Sequence, residues 1–252
     1  MTVNDALLHL LQNPRVWRGS QLGALDESLS IDGSSREPAA YPTGYARLDC
    51  HLPDGGWPRH ALTEILLEHY GTGELELLMP VLARLSNVEE VSPQVGRQVS
   101  HHGSGCDDRE AGWIAWIAPP FQPYPPALLQ WGINLARMLI VHPRQGVEAL
   151  WAAEQALSSG NCAAVLVWSD ALDHRTSRRL QLAAEKGQSW AIAFRPLEAA
   201  AQASAAALRI ALTAGEQGTD VRILKSRGGR PATVSGLIHH IHHYVHVHEH
   251  AE

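Results

Sequence analysis

The sequence predicts an α/β domain built on a mostly parallel sheet flanked by helices, and three observations carry that prediction. Short apolar runs alternate with helical patterns between residues 113 and 195, the order expected of βαβ units. The runs are continuous, as in Ala163-Ala164-Val165-Leu166-Val167-Trp168, so such strands are buried on both faces, as in a parallel sheet. An earlier apolar run, 61–67, leads into Gly71-Thr72-Gly73 and a further helical pattern. That places a glycine turn at the carboxyl end of a strand, where open α/β sheets bind ligands.

In chain order, residues 3–12 carry Leu7, Leu8, Leu10 and Leu11 with Pro14 just beyond, which predicts a short amphipathic helix. Residues 18–42 are rich in Ser, Gly, Asp and Pro without periodicity and read as linker, so 1–41 form an N-terminal helix and linker. The core is expected over 42–230. It opens with a short capped helix at 43–49, a turn at 52–58, the strand at 61–67 and a helix at 74–85 kinked near Pro80. Residues 87–111 are polar and read as a variable loop. Then follow a strand at 113–117, a helix at 125–131 capped by Gly132, and a strand at 138–142. A helix at 147–157, a strand at 163–168, a helix at 173–186 ended by Gly187, and a strand at 190–195 continue the alternation. Strands at 208–212 and 221–225 flank the turn-like 215–218 and suit an antiparallel hairpin at the sheet edge. From Pro231 the amphipathic pattern fades, so 231–252 are expected to be a flexible, disordered tail, with seven His between 239 and 250.

The chain has 252 residues, 45% of them hydrophobic, and a formal net charge of −6. An acidic balance argues against a surface that is a nucleic-acid footprint throughout, while leaving room for a local basic patch. Three scattered Cys without a CxxC pair read as reduced thiols, and no N-terminal leader or long apolar run is evident. A cytoplasmic protein without a membrane segment is expected.

The glycine turn reads Tyr70-Gly71-Thr72-Gly73-Glu74-Leu75. A working phosphate loop needs Lys directly after its last glycine to reach the β/γ-phosphates, then Ser or Thr to hold Mg²⁺. Here those positions hold Glu74 and Leu75. A carboxylate repels phosphate, and an aliphatic side chain cannot ligate a hard cation. A shifted alignment does not rescue the first position, because no Lys occurs before Lys186.

Thr43-Gly44-x-x-x-Leu48-Asp49 and Gly55-Gly56-Trp57-Pro58-Arg59, running into the 61–67 strand, resemble the RecA family, and the resemblance extends from about 42 to 230. It implies a RecA-like core. Within that superfamily the sequence looks most like the ImuA group. The marks are Thr63-Glu64-Ile65-Leu66-Leu67, Gly71-Thr72-Gly73-Glu74-Leu75, Trp113-Ile114-Ala115-Trp116-Ile117-Ala118-Pro119-Pro120 and Leu224-Lys225-Ser226-Arg227-Gly228-Gly229. The SulA group of cell division inhibitors shares the pattern from about 113 to 196, including Val165-Leu166-Val167-Trp168 and Phe194-Arg195-Pro196. Carried over position by position, the Walker B Asp falls on Trp168 and the water-activating Glu near Pro120. Asp170, two residues late, is the alternative acid. Gly71, Gly73, Glu74, Leu75 and Trp168 therefore outline a degenerate nucleotide loop.

Three further constellations stand out. The Pro-rich run 119–126, with Phe121 and Tyr124 and then Trp131, reads either as a docking surface for another protein or as aromatics capping the core. Lys225, Arg227 and Arg230 surround Gly228-Gly229, a loop suited either to a phosphate backbone or to ordinary solvation. The seven C-terminal His have spacing for adventitious Zn²⁺ or Ni²⁺ capture, against the plainer reading of a polar tail.

The chain is thus expected to be no enzyme and to need no cofactor. The resemblance to ImuA implies an accessory role in SOS-induced translesion DNA synthesis. The partners would be an ImuB-like Y-family protein and a DnaE-type error-prone polymerase, with RecA as a further candidate and a weak DNA contact through the basic loop. The alternative, from the SulA resemblance, is an inhibitor that binds FtsZ and blocks division.

Overall fold

A computed structural model describes residues 40–87, 112–144 and 146–238. The expected N-terminal helix, the 88–111 part of the variable loop and the seven C-terminal His lie outside the described residues.

The elements are β1 (Ala40–Tyr41), α1 (Ala46–Asp49), β2 (Trp57–Pro58), β3 (Leu62–Leu67), α2 (Met79–Ser86), β4 (Trp113–Ile117), α3 (Pro125–Gln130) and β5 (Met138–Val141). They continue with α4 (Gly146–Ser158), β6 (Cys162–Trp168), α5 (His174–Gly187), β7 (Trp190–Pro196), β8 (Leu208–Gly215), β9 (Gly218–Ser226) and β10 (Ala232–Ile238). β1 and β2 form a small antiparallel pair. The other eight strands make one sheet in the order β10-β9-β8-β3-β7-β6-β4-β5. β8, β3, β7, β6, β4 and β5 pair in parallel, and β9 is antiparallel to both β8 and β10.

All six residues of β3 are buried, which is why its apolar run is unbroken. One face of the sheet packs Ile65, Trp116, Leu166, Phe194 and Ile210 against Leu48, Leu78, Leu82 and Leu128 of α1, α2, α3 and the turn before α2. The opposite face packs Leu62, Ala115, Val165 and Ala191 against Ala149, Ala153 and Leu157 of α4 and Leu180 and Ala184 of α5. Gln181 of α5 also accepts the backbone N–H of Leu62 at 2.9 Å.

Three expectations need correction. Residues 232–238 are not tail: they form β10, whose Val234, Leu237 and Ile238 are buried. A strand with small and polar residues (Ser235, Gly236) lacks the apolar run that marks a central strand, and pairing with β9 supplies what its composition does not. Helix α2 begins at Met79 rather than Glu74, after a series of turns, and Pro80 sits in its first turn instead of kinking it. There its missing N–H costs no helical bond. Gly187 does not cap α5: the left-handed cap is Gln188, at φ 49°. Gly187 is required by close approach, because a Cβ there would lie 1.8 Å from the carbonyl oxygen of Leu157 in α4.

Candidate functional site

The glycine turn Gly71-Thr72-Gly73 follows β3. Gly71 and Gly73 both have φ near +90°, a conformation open to glycine without strain. Between them the chain turns sharply enough for Glu74 to fold back over its own loop. The backbone N–H of Gly71 donates to both carboxylate oxygens of Glu74, at 2.9 and 3.0 Å, and Glu74 is only 6% exposed. The loop is tied to the far strands as well. The Thr219 hydroxyl donates to the Thr72 carbonyl at 2.5 Å, and a side chain at Gly73 would meet Ile238 at 3.1 Å. Leu75 packs against the larger core cluster. An N–H of the kind that cradles phosphate in such loops is engaged here by an internal anion.

Trp168 ends β6 and is 6% exposed. Its ring stacks on Phe194 with centroids 4.5 Å apart and 17° between planes, and it lies 5.5 Å from the ring of Trp116. Three aromatics on three adjacent strands thus fill the volume at the carboxyl ends of β4, β6 and β7. Above them opens a groove of about 400 Å³ lined by Tyr70, Pro120, Arg144, Trp168, Ser169 and Asp170, among others. Crossovers from the neighbouring strands β4 and β6 leave on opposite faces of the sheet, to α3 and α5. The groove therefore sits at a switch point, where such sheets take ligands. The structure brings Trp168, Pro120 and Asp170 together there, while Glu74 stays turned into its loop. Tyr70 bridges the two: burial, then the Asp170 and Glu74 carboxylates, push its phenol above the usual range.

Phe121, Tyr124 and Trp131 are 71%, 69% and 42% exposed, so they do not cap the core. Phe121 meets Tyr70 edge-on at 6.3 Å, which places it on the rim of the groove. Tyr124 and Trp131 stand at the two ends of α3. Lys225, Arg227 and Arg230 lie elsewhere. β9 runs against the parallel strands, so its end and the turn to β10 are at the opposite, amino edge of the sheet, where the Arg227 N–H donates to the Ala207 carbonyl at 2.8 Å. Lys225 donates to the Ser204 carbonyl at 2.9 Å.

A buried ionic cluster was missed from sequence. Glu64 in β3 is fully buried and accepts from Arg195 of β7 at 3.2 Å, from Arg209 of β8 at 2.8 Å, and from the Ser204 hydroxyl. Arg195 also donates to the Leu172 carbonyl and to Gln202, and Arg209 to the carbonyls of Ala199, Ala200 and Gln202. The signal was a lone charge in each of three otherwise apolar strands. In the observed pairing, Glu64 stands opposite Arg209 on β8 and one pleat from Arg195 on β7. Two cations from neighbouring strands thus surround one buried carboxylate at the centre of the sheet.

A family model for the cell division inhibitor SulA matches residues 107–191. Protein ImuA of Caulobacter vibrioides is 39% identical over 82 residues, covering 32% of this chain and 34% of that protein. The SulA of Photorhabdus laumondii is 31% identical over 100 residues, covering 40% of this chain and 56% of that protein. The crystal structure of SulA from Pseudomonas aeruginosa aligns with a TM-score of 0.38 and 26% identity, covering 53% of this chain and 97% of that chain. The match thus spans about a third of the length of the ImuA relative and somewhat over half of the Photorhabdus inhibitor. With its large, mostly parallel sheet between helices, the chain is a relative of ImuA and of the SulA cell division inhibitors.

Proposed function

We propose that the protein is a non-catalytic, cytoplasmic RecA-like accessory factor in SOS-induced translesion DNA synthesis. In this reading it recruits or regulates an error-prone polymerase through protein contacts. The observation that carries the proposal is the loop after β3. Phosphoryl transfer rests on positioning and charge stabilisation by a Lys and a metal. At this loop the Lys position is a buried carboxylate that holds the loop's own N–H, and the acid position at the end of β6 is a stacked tryptophan. What the frame retains is surface. The exposed aromatics Phe121 and Tyr124 beside the switch-point groove suit a protein partner, and the identity to ImuA supports an ImuB-like Y-family protein, a DnaE-type polymerase and RecA as the candidates.

A second reading, binding of FtsZ to block division, draws on the SulA family match, which covers β4 to the start of β7 and so includes the same aromatic loop. Affinity capture with purified ImuB-like protein and purified FtsZ separates the two. Retention of the ImuB-like protein supports the first reading, and retention of FtsZ alone overturns it. Steady-state ATP hydrolysis that disappears in Asp170→Asn would overturn the non-catalytic assignment.

A further inference from the structure

At the amino edge of the sheet the carboxyl end of α5 meets the turn between β9 and β10, a second basic segment further along the chain. Helix α5 presents Arg175, Arg179 and Lys186 on one outward stripe, since positions 4 and 7 residues apart share a helix face. Arg178 lies beside that stripe. These four residues are exposed, and the rise from Arg175 to Lys186 is about 16 Å. At the carboxyl end of α5, Glu185 lies 3.9 Å from Arg227, which joins the helix to the β9–β10 turn with Lys225, Arg227 and Arg230. The cationic strip therefore continues from the helix onto the turn.

We infer that this strip, formed by α5 and the β9–β10 turn, binds the phosphate backbone of a nucleic acid.

The strip carries more positive than negative charge, and its anions are in use. Glu154 pairs with Arg179. Glu185 accepts from Gln181 at 2.7 Å and faces Arg227. Asp173 accepts the Thr176 N–H at the start of α5. Beneath the turn, Glu64 is already shared between Arg195 and Arg209. Lys225 registers the surplus. Burial, then the neighbouring Arg209 and Arg227, lower its ammonium below the usual range against a smaller opposing pull from Glu64. An anion added here relieves repulsion among cations that the fold holds close.

A protein partner fits the strip less well. Protein interfaces are anchored by buried aromatic and apolar side chains, and on α5 the only large exposed hydrophobe among the described residues is Leu182. Phosphate contact needs no apolar anchor. It needs spaced cations and backbone that can be approached closely, and Gly228 has open space where a side chain would stand. This inference concerns a different surface from the aromatic rim, so it stands or falls apart from the polymerase or FtsZ reading.

Fluorescence anisotropy of the full chain with short labelled single- and double-stranded DNA tests it, in mildly alkaline buffer where His is neutral. Binding is expected at about 50 mM salt and should weaken steeply toward about 200 mM. The double variants Arg175→Ser/Arg178→Ser and Lys186→Ser/Arg227→Ser each remove two cations. Each should lower the slope of log affinity against log salt by about 1.8 on duplex and about 1.4 on single strand. Arg84→Ser, an exposed cation on α2 across the sheet, should leave the slope unchanged. Absence of binding at the low salt, equal slopes in all proteins, or binding of a polyglutamate peptide in preference to DNA would each overturn the inference. Melting temperatures of the variants within a degree or two of the parent exclude misfolding as the cause of a lost slope.

Discussion

Both carboxylate oxygens of Glu74 take the single backbone N–H of Gly71, at 2.9 and 3.0 Å. A side chain three residues downstream thus serves the loop as its anion, and phosphate has to displace it.

Replacing Glu74 by Ala leaves that N–H to solvent or unpaired and should lower stability by about 1–3 kcal/mol, read from chemical denaturation. Glu74→Lys restores the residue type a phosphate loop needs. Even so, isothermal titration should show no saturable MgATP binding, because Leu75 cannot hold Mg²⁺ and the stacked ring of Trp168 offers no ligand at the end of β6. Tight MgATP binding by Glu74→Lys would mean that Glu74 alone closes the site.

Trp168 is held by Phe194 on one side and Trp116 on the other. Trp168→Ala should cost about 3–5 kcal/mol through the cavity it leaves. Trp168→Asp, which puts an acid at the proposed Walker B position, should cost more, since the carboxylate enters an aromatic stack between Trp116 and Phe194. A Trp168→Asp protein that melts like the parent would show that this end of β6 tolerates water, and the description of a filled site would be wrong.

Glu64 is the shared partner of two buried guanidinium groups. Glu64→Gln keeps shape but leaves Arg195 and Arg209 without a counter-charge. A loss of about 3–5 kcal/mol is expected, as for breaking any buried pair from one side. Replacing all three with apolar residues of similar volume should recover most of that loss. Denaturant midpoints of the single and triple variants decide it; a triple variant as unstable as the single one would show that the hydrogen bonds to the 199–204 segment, not the charges, hold the strands.

The parallel architecture was legible because buried parallel strands leave unbroken apolar runs, as in β3 and β6. The hairpin turn after β8 was legible from its glycines. β10 was not: Ser235 and Gly236 interrupt its pattern, and only its partner β9 makes it a strand. That Glu74 and Leu75 follow the glycine turn could be read from identity alone, but the internal use of Glu74 could not, since it depends on two left-handed glycines bringing residue 74 back over residue 71. The cluster around Glu64 was hidden for a related reason. A charge in an apolar run looks like an edge position until the register sets it beside two arginines. The link between Arg227 and α5 is tertiary and leaves no local trace.

Asp173 caps α5. Hydrogen bonds from Thr176, through its side chain and then its backbone N–H, hold the carboxyl below the usual carboxylate range, with Arg175 adding to them. The folded value lies below the unfolded one, so the stabilisation is complete above the unfolded value and is lost as pH falls through the folded value. Asp173→Asn should therefore flatten the acid side of the stability profile by lowering stability near neutrality toward the level the parent reaches in acid, and should change little at low pH. An unaltered acid limb in thermal melts would show that the cap contributes nothing through its charge.

Phe121 and Tyr124 are mostly exposed, so trimming them removes little that the fold uses. Phe121→Ala/Tyr124→Ala should shift stability by no more than about 0.5 kcal/mol each, as surface changes do. Binding behaves differently. Aromatic anchors at an interface typically carry about 2 kcal/mol or more, so affinity for the partner should fall about thirty-fold or more in surface plasmon resonance. The partner that loses affinity is informative: an ImuB-like protein supports recruitment, and FtsZ supports division inhibition. Trp131→Ala is the internal comparison, because Trp131 stands at the far end of α3 from Tyr124. If Trp131→Ala weakens binding as much as the pair does, the interface runs along α3 and not only around the groove. If neither change alters binding to either protein, the aromatic rim is not the docking surface.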